Sequence, residues 1–154
     1  MTAKEYLGQI NKLDRQIDSK LAILSSLEAS AAKTTVAVEG EVVSHTRNVH
    51  ALQDTIAKIM DLRQEIDSAT DALVDLRNEA QRVIERLDDS PCQTVLTLRY
   101  VWLKPWDEMA EALSYNPRSV YKVRDRALAL LDAMIENGSV EIGQSRALAG
   151  KPNM

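Results

Sequence analysis

The sequence predicts an all-α protein in which a long helical hairpin or coiled coil precedes a three-helix domain. Aromatic residues make up only 4% of the chain and Phe is missing, so the core must consist of Leu, Ile, Val and Ala, as in helical bundles. Two long stretches carry apolar residues at helical spacing, and a later stretch contains three helix-start signals. These observations divide the chain into a hairpin at 1–89, a three-helix domain at 90–136 and a tail at 137–154.

The first helix is predicted to begin at once, because Thr2-Ala3-Lys4-Glu5 is a capping box with Thr at the N-cap and Glu three residues later. Apolar residues then recur every three or four positions: Tyr6, Ile10, Leu13, Ile17, Leu21, Leu24 and Leu27. This spacing indicates one apolar stripe on a helix that reaches about Ala32. Residues 33–47 are rich in β-branched side chains and lack a stripe, so we expect an extended or partly disordered connection there.

A second and more regular stripe follows the connection. It consists of Leu52, Thr55, Ile59, Leu62, Ile66, Ala69, Leu73, Leu76, Ala80, Val83 and Leu87. Steps of three and four alternate throughout, which is typical of a coiled-coil seam. A helix of this kind is not stable alone, so the seam needs a partner. The first helix, folded back antiparallel, is the nearest candidate. Because it is shorter, part of the seam remains for the C-terminal helices or for a second copy of the chain.

The region from Ser90 onward contains three helix starts. Ser90-Pro91 and Asn116-Pro117 each combine an N-cap side chain with a proline at the first helical position, whereas Lys104-Pro105 supplies only the proline. The middle helix is predicted at Trp106 to Leu113 and ends at Ser114-Tyr115-Asn116. A short helix, a short turn and a longer basic helix form a helix-turn-helix pattern. Asn137-Gly138 then signals a helix end, and the tail after it is expected to be disordered.

Charge is distributed unevenly along the chain. The net charge is −4 overall, which argues against a wholly basic protein that coats nucleic acid. Residues 1–89 carry a net charge of −5, residues 90–154 carry +1, and residues 117–126 alone carry +3. A local basic surface is enough for docking on DNA, because phosphate contacts act within a Debye length of about 8–10 Å.

No pattern in the sequence indicates an active site, a metal site or a cofactor. His45 and His50 are the only histidines and have no carboxylate at ligand spacing, so we interpret them as solvated residues in or beside the connection. Cys92 is the single cysteine, which excludes an intrachain disulfide, and it is expected to be an unreactive thiol. The protein is therefore expected not to be an enzyme. Without a membrane span or a signal pattern, it is expected in the cytoplasm.

The third predicted helix of the C-terminal domain separates a core side from an outward side. Its inner stripe is Val120, Val123, Ala127, Leu128 and Leu131. Arg118, Ser119 and Lys122 lie near its start and point outward, so they are candidates for reading base edges of DNA. Tyr121, Arg124 and Arg126, with Arg99 and Lys104 from the preceding segment, suit phosphate contacts. The plainer interpretation is a three-helix bundle whose basic surface is only solvated.

The C-terminal half resembles the DNA-binding fourth region of bacterial sigma factors. The resemblance lies in Leu98-Arg99-Tyr100, Trp106-Asp107-Glu108-Met109-Ala110, Leu113-Ser114-Tyr115, Val120 and Arg126-Ala127-Leu128. With its MTAKEYL start, the whole chain more closely resembles phage and prophage late-gene transcription regulators of the ArpU and RinA type. The resemblance implies DNA contacts from Arg118, Ser119, Tyr121, Lys122 and Arg126. Pro105 and Ser114 depart from the pattern, which commonly has Ser or Thr before the Trp and Gly in the turn.

This resemblance implies a sequence-specific regulator that binds double-stranded DNA and, in the bacterial host cell, activates late genes together with RNA polymerase. A single small module binds DNA weakly at physiological salt, so we expect a homodimer formed through the coiled coil. Two alternatives remain open. One is a coiled-coil adaptor whose helix-turn-helix docks on proteins, and the other is a small terminase-like DNA-packaging subunit.

Overall fold

The structure is a computed structural model that describes residues 1–40 and 45–144, and every regular element in these ranges is a helix. The helices are α1 (Ala3–Gly40), α2 (His45–Ile84), α3 (Ser90–Leu96), α4 (Trp106–Leu113) and α5 (Pro117–Glu136), and a π-helical turn at Thr97–Val101 continues α3. The predicted all-α fold with two long N-terminal helices is therefore confirmed. None of the described helices is both long and apolar enough to cross a membrane.

The expected connection at 33–47 is wrong for most of its length. Helix α1 continues to Gly40 and α2 begins at His45. Of the expected connection, only residues 41–44 lie outside the described part. The hydroxyls of Thr34 and Thr35 donate to the carbonyls of Ser30 and Ala31, at 3.0 and 2.9 Å. A β-branched residue whose hydroxyl is satisfied in this way lowers helix propensity only slightly, which is too little to end an established helix.

The chain divides into two compact units, one formed by Met1–Asp14 and Ala72–Met154 and the other by Arg15–Asp71. The predicted boundary at residue 89 does not coincide with this division. In the first unit the start of α1 is tied to α5, since the backbone N–H of Ala3 donates to Asp132 at 2.6 Å. The largest fully buried side chains come from every helix of that unit: Tyr6, Leu7, Ile10, Leu76, Ile84, Leu96, Met109 and Leu131.

In the unit Arg15–Asp71, the two long helices run antiparallel. Salt bridges link Lys20 to Glu65 at 3.5 Å and Arg63 to Glu28 at 2.8 Å, so α1 folds back on α2 as predicted. The predicted seam is buried at Ile59 and Ile66, and α1 contributes Ile17 to the same core. Large apolar side chains also remain at the surface of this unit, among them Leu21, Ile23, Ile56 and Met60.

A buried carboxylate fixes the segment that follows α5. Glu79 is only 3% exposed and accepts hydrogen bonds from the Tyr6 hydroxyl at 2.5 Å and from the backbone N–H groups of Gly143 and Gln144 at 3.4 and 2.5 Å. Burial, together with the hydrogen bond to Glu79, raises the pKa of Tyr6 far above its ordinary value. The prediction of a disordered tail at 137–154 is therefore wrong for 137–144, where Val140 is also buried. Residues 145–154 lie outside the described part.

The helix starts follow the sequence signals with one correction. The N-cap of α3 is Asp89 and not Ser90, because the Asp89 carboxylate accepts from the Cys92 N–H at 3.1 Å and leaves Ser90 inside the first turn. Asn116 caps α5 as predicted, accepting from the Ser119 N–H at 2.8 Å. Pro105 precedes α4 without a capping side chain, also as predicted.

The turn between α4 and α5 has the geometry that usually favours glycine. Ser114 adopts the left-handed region with φ 56° and ψ 33°, and the Tyr115 N–H donates to the carbonyl of Ala110 at 2.9 Å. A serine therefore takes the strained position itself, and the helix-turn-helix keeps its short turn. The helix after it ends at Glu136, with Gly138 at φ 77°, as the Asn137-Gly138 signal predicts.

Candidate nucleic-acid interface

The start of α5 presents its basic residues away from the core. Val120, Val123, Ala127 and Leu131 are buried and Leu128 is half-buried, so the predicted inner stripe is correct. With 3.6 residues per turn, the side opposite this stripe passes through Arg118 and Lys122. Both side chains are exposed, and neither forms a hydrogen bond or an ion pair with any of the residues that the structure describes. Two positive charges thus lie one turn apart and are available to an anion.

Ser119 and Tyr121 lie between Arg118 and Lys122 in the sequence and differ in how far they are exposed. Ser119 is half-buried, and its backbone N–H already donates to the Asn116 cap. Tyr121 is 39% exposed, and its ring lies 5.1 Å from that of Trp106, inclined by 55°. Tyr121 is thus accessible beside Lys122, whereas Ser119 reaches the surface only in part.

Arg99, Trp106, Tyr121 and Arg124 form one group, which we call the arginine–tryptophan cluster. The guanidinium carbons of Arg99 and Arg124 lie 4.7 and 5.4 Å from the centre of the Trp106 ring, and Arg124 also lies 5.1 Å from the centre of the Tyr121 ring. These are cation–π distances. The structure therefore brings together two predicted phosphate-contact residues, Arg99 and Arg124, around a tryptophan that the sequence did not single out.

The π-helical turn determines where Arg99 lies. The Trp102 N–H donates to the carbonyl of Thr97 at 3.0 Å, five residues back, and the Lys104 N–H donates to Leu98 at 2.9 Å. Leu103 takes a left-handed conformation with φ 56°. The Arg99 guanidinium donates to the carbonyl of Lys104 at 3.0 Å and so ties the segment before α4 to the π-helical turn. The Lys104 side chain is exposed.

Two of the predicted contact residues are engaged by carboxylates. Arg124 pairs with Asp125 at 2.8 Å, and Arg126 pairs with Asp89 at 3.1 Å. The hydrogen bond from the Cys92 N–H, assisted by the Arg126 charge, holds the pKa of Asp89 below its ordinary value. Arg126 is therefore directed toward the start of α3, so it is the least supported of the eight predicted DNA contacts.

The cysteine and the histidines do not come together in the part of the chain that the structure describes. Cys92 is buried against α5 with its Sγ 3.9 Å from the carbonyl of Val123, and burial raises the pKa of this thiol. It fits the expected unreactive cysteine. His50 is exposed on α2 rather than in a loop, and the side chain of His45 lies outside the described part. Over the described residues, no group of His, Cys, Asp and Glu has the arrangement of a metal site.

Acidic residues border the basic surface. Asp107 and Glu108 are exposed in the first turn of α4, where they interact favourably with the helix dipole. Beside a DNA backbone these two carboxylates would repel phosphate.

Comparison with known proteins places the chain in a family. No curated protein and no solved structure matches it significantly. A family described as "Protein of unknown function (DUF1492)" matches residues 27–132, which include α2, α3, α4 and most of α5. Because the match covers more than half of the sequence, the chain belongs to the DUF1492 family.

Proposed function

We propose that this protein is a sequence-specific regulator of transcription, of phage or prophage origin, that binds double-stranded DNA and activates late genes together with bacterial RNA polymerase. The observation that carries the proposal is the start of α5, where Arg118 and Lys122 are exposed and form no hydrogen bond or ion pair within the described residues. In helix-turn-helix proteins this part of the second helix enters the major groove. Arginine and lysine side chains there recognise guanine through its O6 and N7 atoms.

The neighbouring residues support contacts with the DNA backbone. Arg99 and Lys104 lie on the segment before α4, and Tyr121 and Arg124 lie on α5 beside Lys122 in the sequence. The Trp106 ring brings Arg99, Tyr121 and Arg124 together. Contacts of this kind fix the orientation of a protein on DNA without reading its sequence. A single module with so few contacts binds weakly, so a dimer formed through the long helices belongs to the proposal.

Binding to an operator selected from a random duplex library tests the proposal directly. Arg118→Ala combined with Lys122→Ala should weaken binding to that duplex more than tenfold, because each base contact is worth about 1–3 kcal/mol. The matched control is Lys12→Ala with Arg15→Ala, which removes the same charge from exposed positions on α1. Equal affinity of the two double variants for the operator would show that the recognition-helix assignment is wrong.

A protein-docking adaptor is the second candidate. The exposed acidic side chains Asp107, Glu108 and Asp125 among the basic ones favour it, since mixed charges suit a protein surface better than a phosphate backbone. The same selection experiment separates the two functions. An adaptor enriches no duplex sequence from the library, and its affinity for DNA at low salt disappears at physiological salt.

A further inference from the structure

Trp106, the first residue of α4, has two arginine side chains over its ring. The guanidinium carbons of Arg99 and Arg124 lie 4.7 and 5.4 Å from the ring centre. The distance between the two carbons is therefore at most the sum of these two values. Two positive charges this close repel each other, and the negative face of the indole ring offsets part of that repulsion. The ring therefore concentrates positive charge at one place on the surface.

A cation–π contact restrains an arginine without using up its hydrogen-bond donors. The guanidinium carbon lies close to the ring, and the N–H groups remain in the guanidinium plane, where they can donate to an anion. Among the described residues, Arg99 donates a hydrogen bond only through Nη1, to the carbonyl of Lys104. A side chain already held in one orientation loses less entropy when it binds an anion. The contact with the ring therefore lowers the entropic cost of binding.

Asp125 marks the position at which an anion meets the second guanidinium. Its Oδ1 atom accepts from both Nε and Nη2 of Arg124, at 2.9 and 2.8 Å. The donors of the stacked Arg124 are thus directed at one negatively charged oxygen. A phosphate oxygen has the same acceptor chemistry and can replace the carboxylate, because the Asp125 side chain is largely exposed and can move away.

We propose that Arg99 and Arg124, positioned by Trp106, bind a phosphodiester of the DNA backbone as one unit, which we call the stacked-arginine phosphate site. This inference rests on the proposed DNA-binding function and deepens it. Arg99 and Arg124 contact the phosphate, and Trp106 is a positioning residue that sets the orientation of both. The site accepts any sequence, in contrast to the base-reading Arg118 and Lys122.

The test measures binding of the full-length protein to a fluorescent duplex of mixed sequence over a series of salt concentrations. Trp106→Leu should weaken binding about 5- to 30-fold, because an exposed cation–π contact contributes about 0.5–1 kcal/mol and two are lost. The salt dependence should fall as well, since each lost phosphate contact lowers the slope by about 0.9. Unchanged affinity, or weaker binding with an unchanged slope, would contradict the site.

Trp102 supplies a matched control. It is 56% exposed, and the guanidinium carbon of Arg77 lies 5.5 Å from the centre of its ring, but it lies outside the arginine–tryptophan cluster. Trp102→Leu should leave both affinity and salt slope unchanged. An equal loss in this variant would mean that the effect is a general consequence of removing a surface tryptophan, and the site would be rejected.

Two lysine variants test the site without disturbing Trp106. Arg99→Lys and Arg124→Lys keep the charge and lose the planar stack, so each should weaken binding to the mixed duplex, and the loss at residue 99 should shrink in the Trp106→Leu background. Lysine variants that bind as tightly as the wild type would overturn the inference, even if Trp106→Leu failed to fold. If only Arg118→Ala with Lys122→Ala lost binding, the proposed function would stand and the phosphate site alone would be wrong. If the wild type bound no duplex, both would be wrong.

Discussion

Ser114 is the residue on which the turn of the helix-turn-helix depends. Its left-handed backbone, with φ 56°, costs an L-residue about 1–2 kcal/mol that glycine does not incur. Ser114→Gly should therefore raise the free energy of unfolding by up to about 1 kcal/mol, after the larger entropy of the unfolded glycine chain is subtracted. The control, Ser25→Gly in the exposed interior of α1, should lower it by about 0.5 kcal/mol. Urea denaturation measures the change in the free energy of unfolding for both variants. A decrease for Ser114→Gly would contradict the strained turn.

Tyr6 satisfies a carboxylate that has almost no access to water. Tyr6→Phe removes the hydroxyl that donates to Glu79 at 2.5 Å, and a buried acceptor that loses a donor costs about 1–3 kcal/mol. We expect a decrease of that size in the free energy of unfolding. Tyr115→Phe, at an exposed position, should change it by less than about 0.5 kcal/mol. Equal effects of the two substitutions would show that the buried hydrogen bond contributes little.

The individual residues differ in how far the sequence predicts them. Arg118 and Lys122 follow from helical periodicity alone, because the buried stripe Val120, Val123 and Ala127 determines the opposite side of the same helix. Trp106 could not be found in this way, since its role depends on two arginines that are distant in sequence or on another helix. No arginine follows Trp106 within a turn of the helix, so the sequence carries no local signal for its role.

At the scale of elements, the start of α3 is sensitive to pH. The Cys92 N–H and the Arg126 guanidinium both stabilise the ionised form of Asp89, which lowers its pKa in the folded state. A carboxylate with a lowered folded pKa stabilises the protein above its unfolded pKa of about 3.9, and this contribution is lost as the pH falls through the lower folded value.

Asp89→Asn should accordingly lower stability at neutral pH and make the loss of stability on acidification less steep. Asparagine remains an N-cap residue, so the difference reports the charge rather than the cap. Thermal melting between about pH 6 and pH 2 measures the profile, with the adjacent, exposed Asp88→Asn as the control. If Asp89→Asn followed the wild-type profile throughout, the pairing with Arg126 would have no energetic consequence.

The elements themselves show where local rules succeed and fail. Capping residues and prolines predict the bounds of α4 and the start of α5 correctly, because these signals act within one turn of the helix end. The end of α1 was missed because β-branched composition lowers helix propensity only slightly. The sequence does not predict the ordered segment at 137–144, because its position depends on backbone hydrogen bonds to Glu79, which leave no periodicity in the sequence.

At the scale of the molecule, the long helices leave apolar side chains exposed in the unit Arg15–Asp71, with Met60 at 66% exposure. The proposed dimer places such residues against a second copy. Light scattering should therefore give twice the mass of one chain, and Ile56→Ser with Met60→Ser should shift the protein toward monomer. The control is Leu130→Ser, at a position on α5 that is 40% exposed, and it should leave the mass unchanged. A ring of many copies would instead favour a DNA-packaging subunit.

The central claim is that the start of α5 reads DNA sequence, and genome-wide mapping of bound sites in the bacterial host, beside transcript levels, tests it most directly. The account predicts that the wild-type protein occupies a late promoter and raises its transcript. It also predicts that Arg118→Ala with Lys122→Ala loses both effects, whereas Lys12→Ala with Arg15→Ala retains them. Occupancy of the same promoter by the Arg118 and Lys122 double variant, or wild-type binding spread evenly over the genome, would contradict the account.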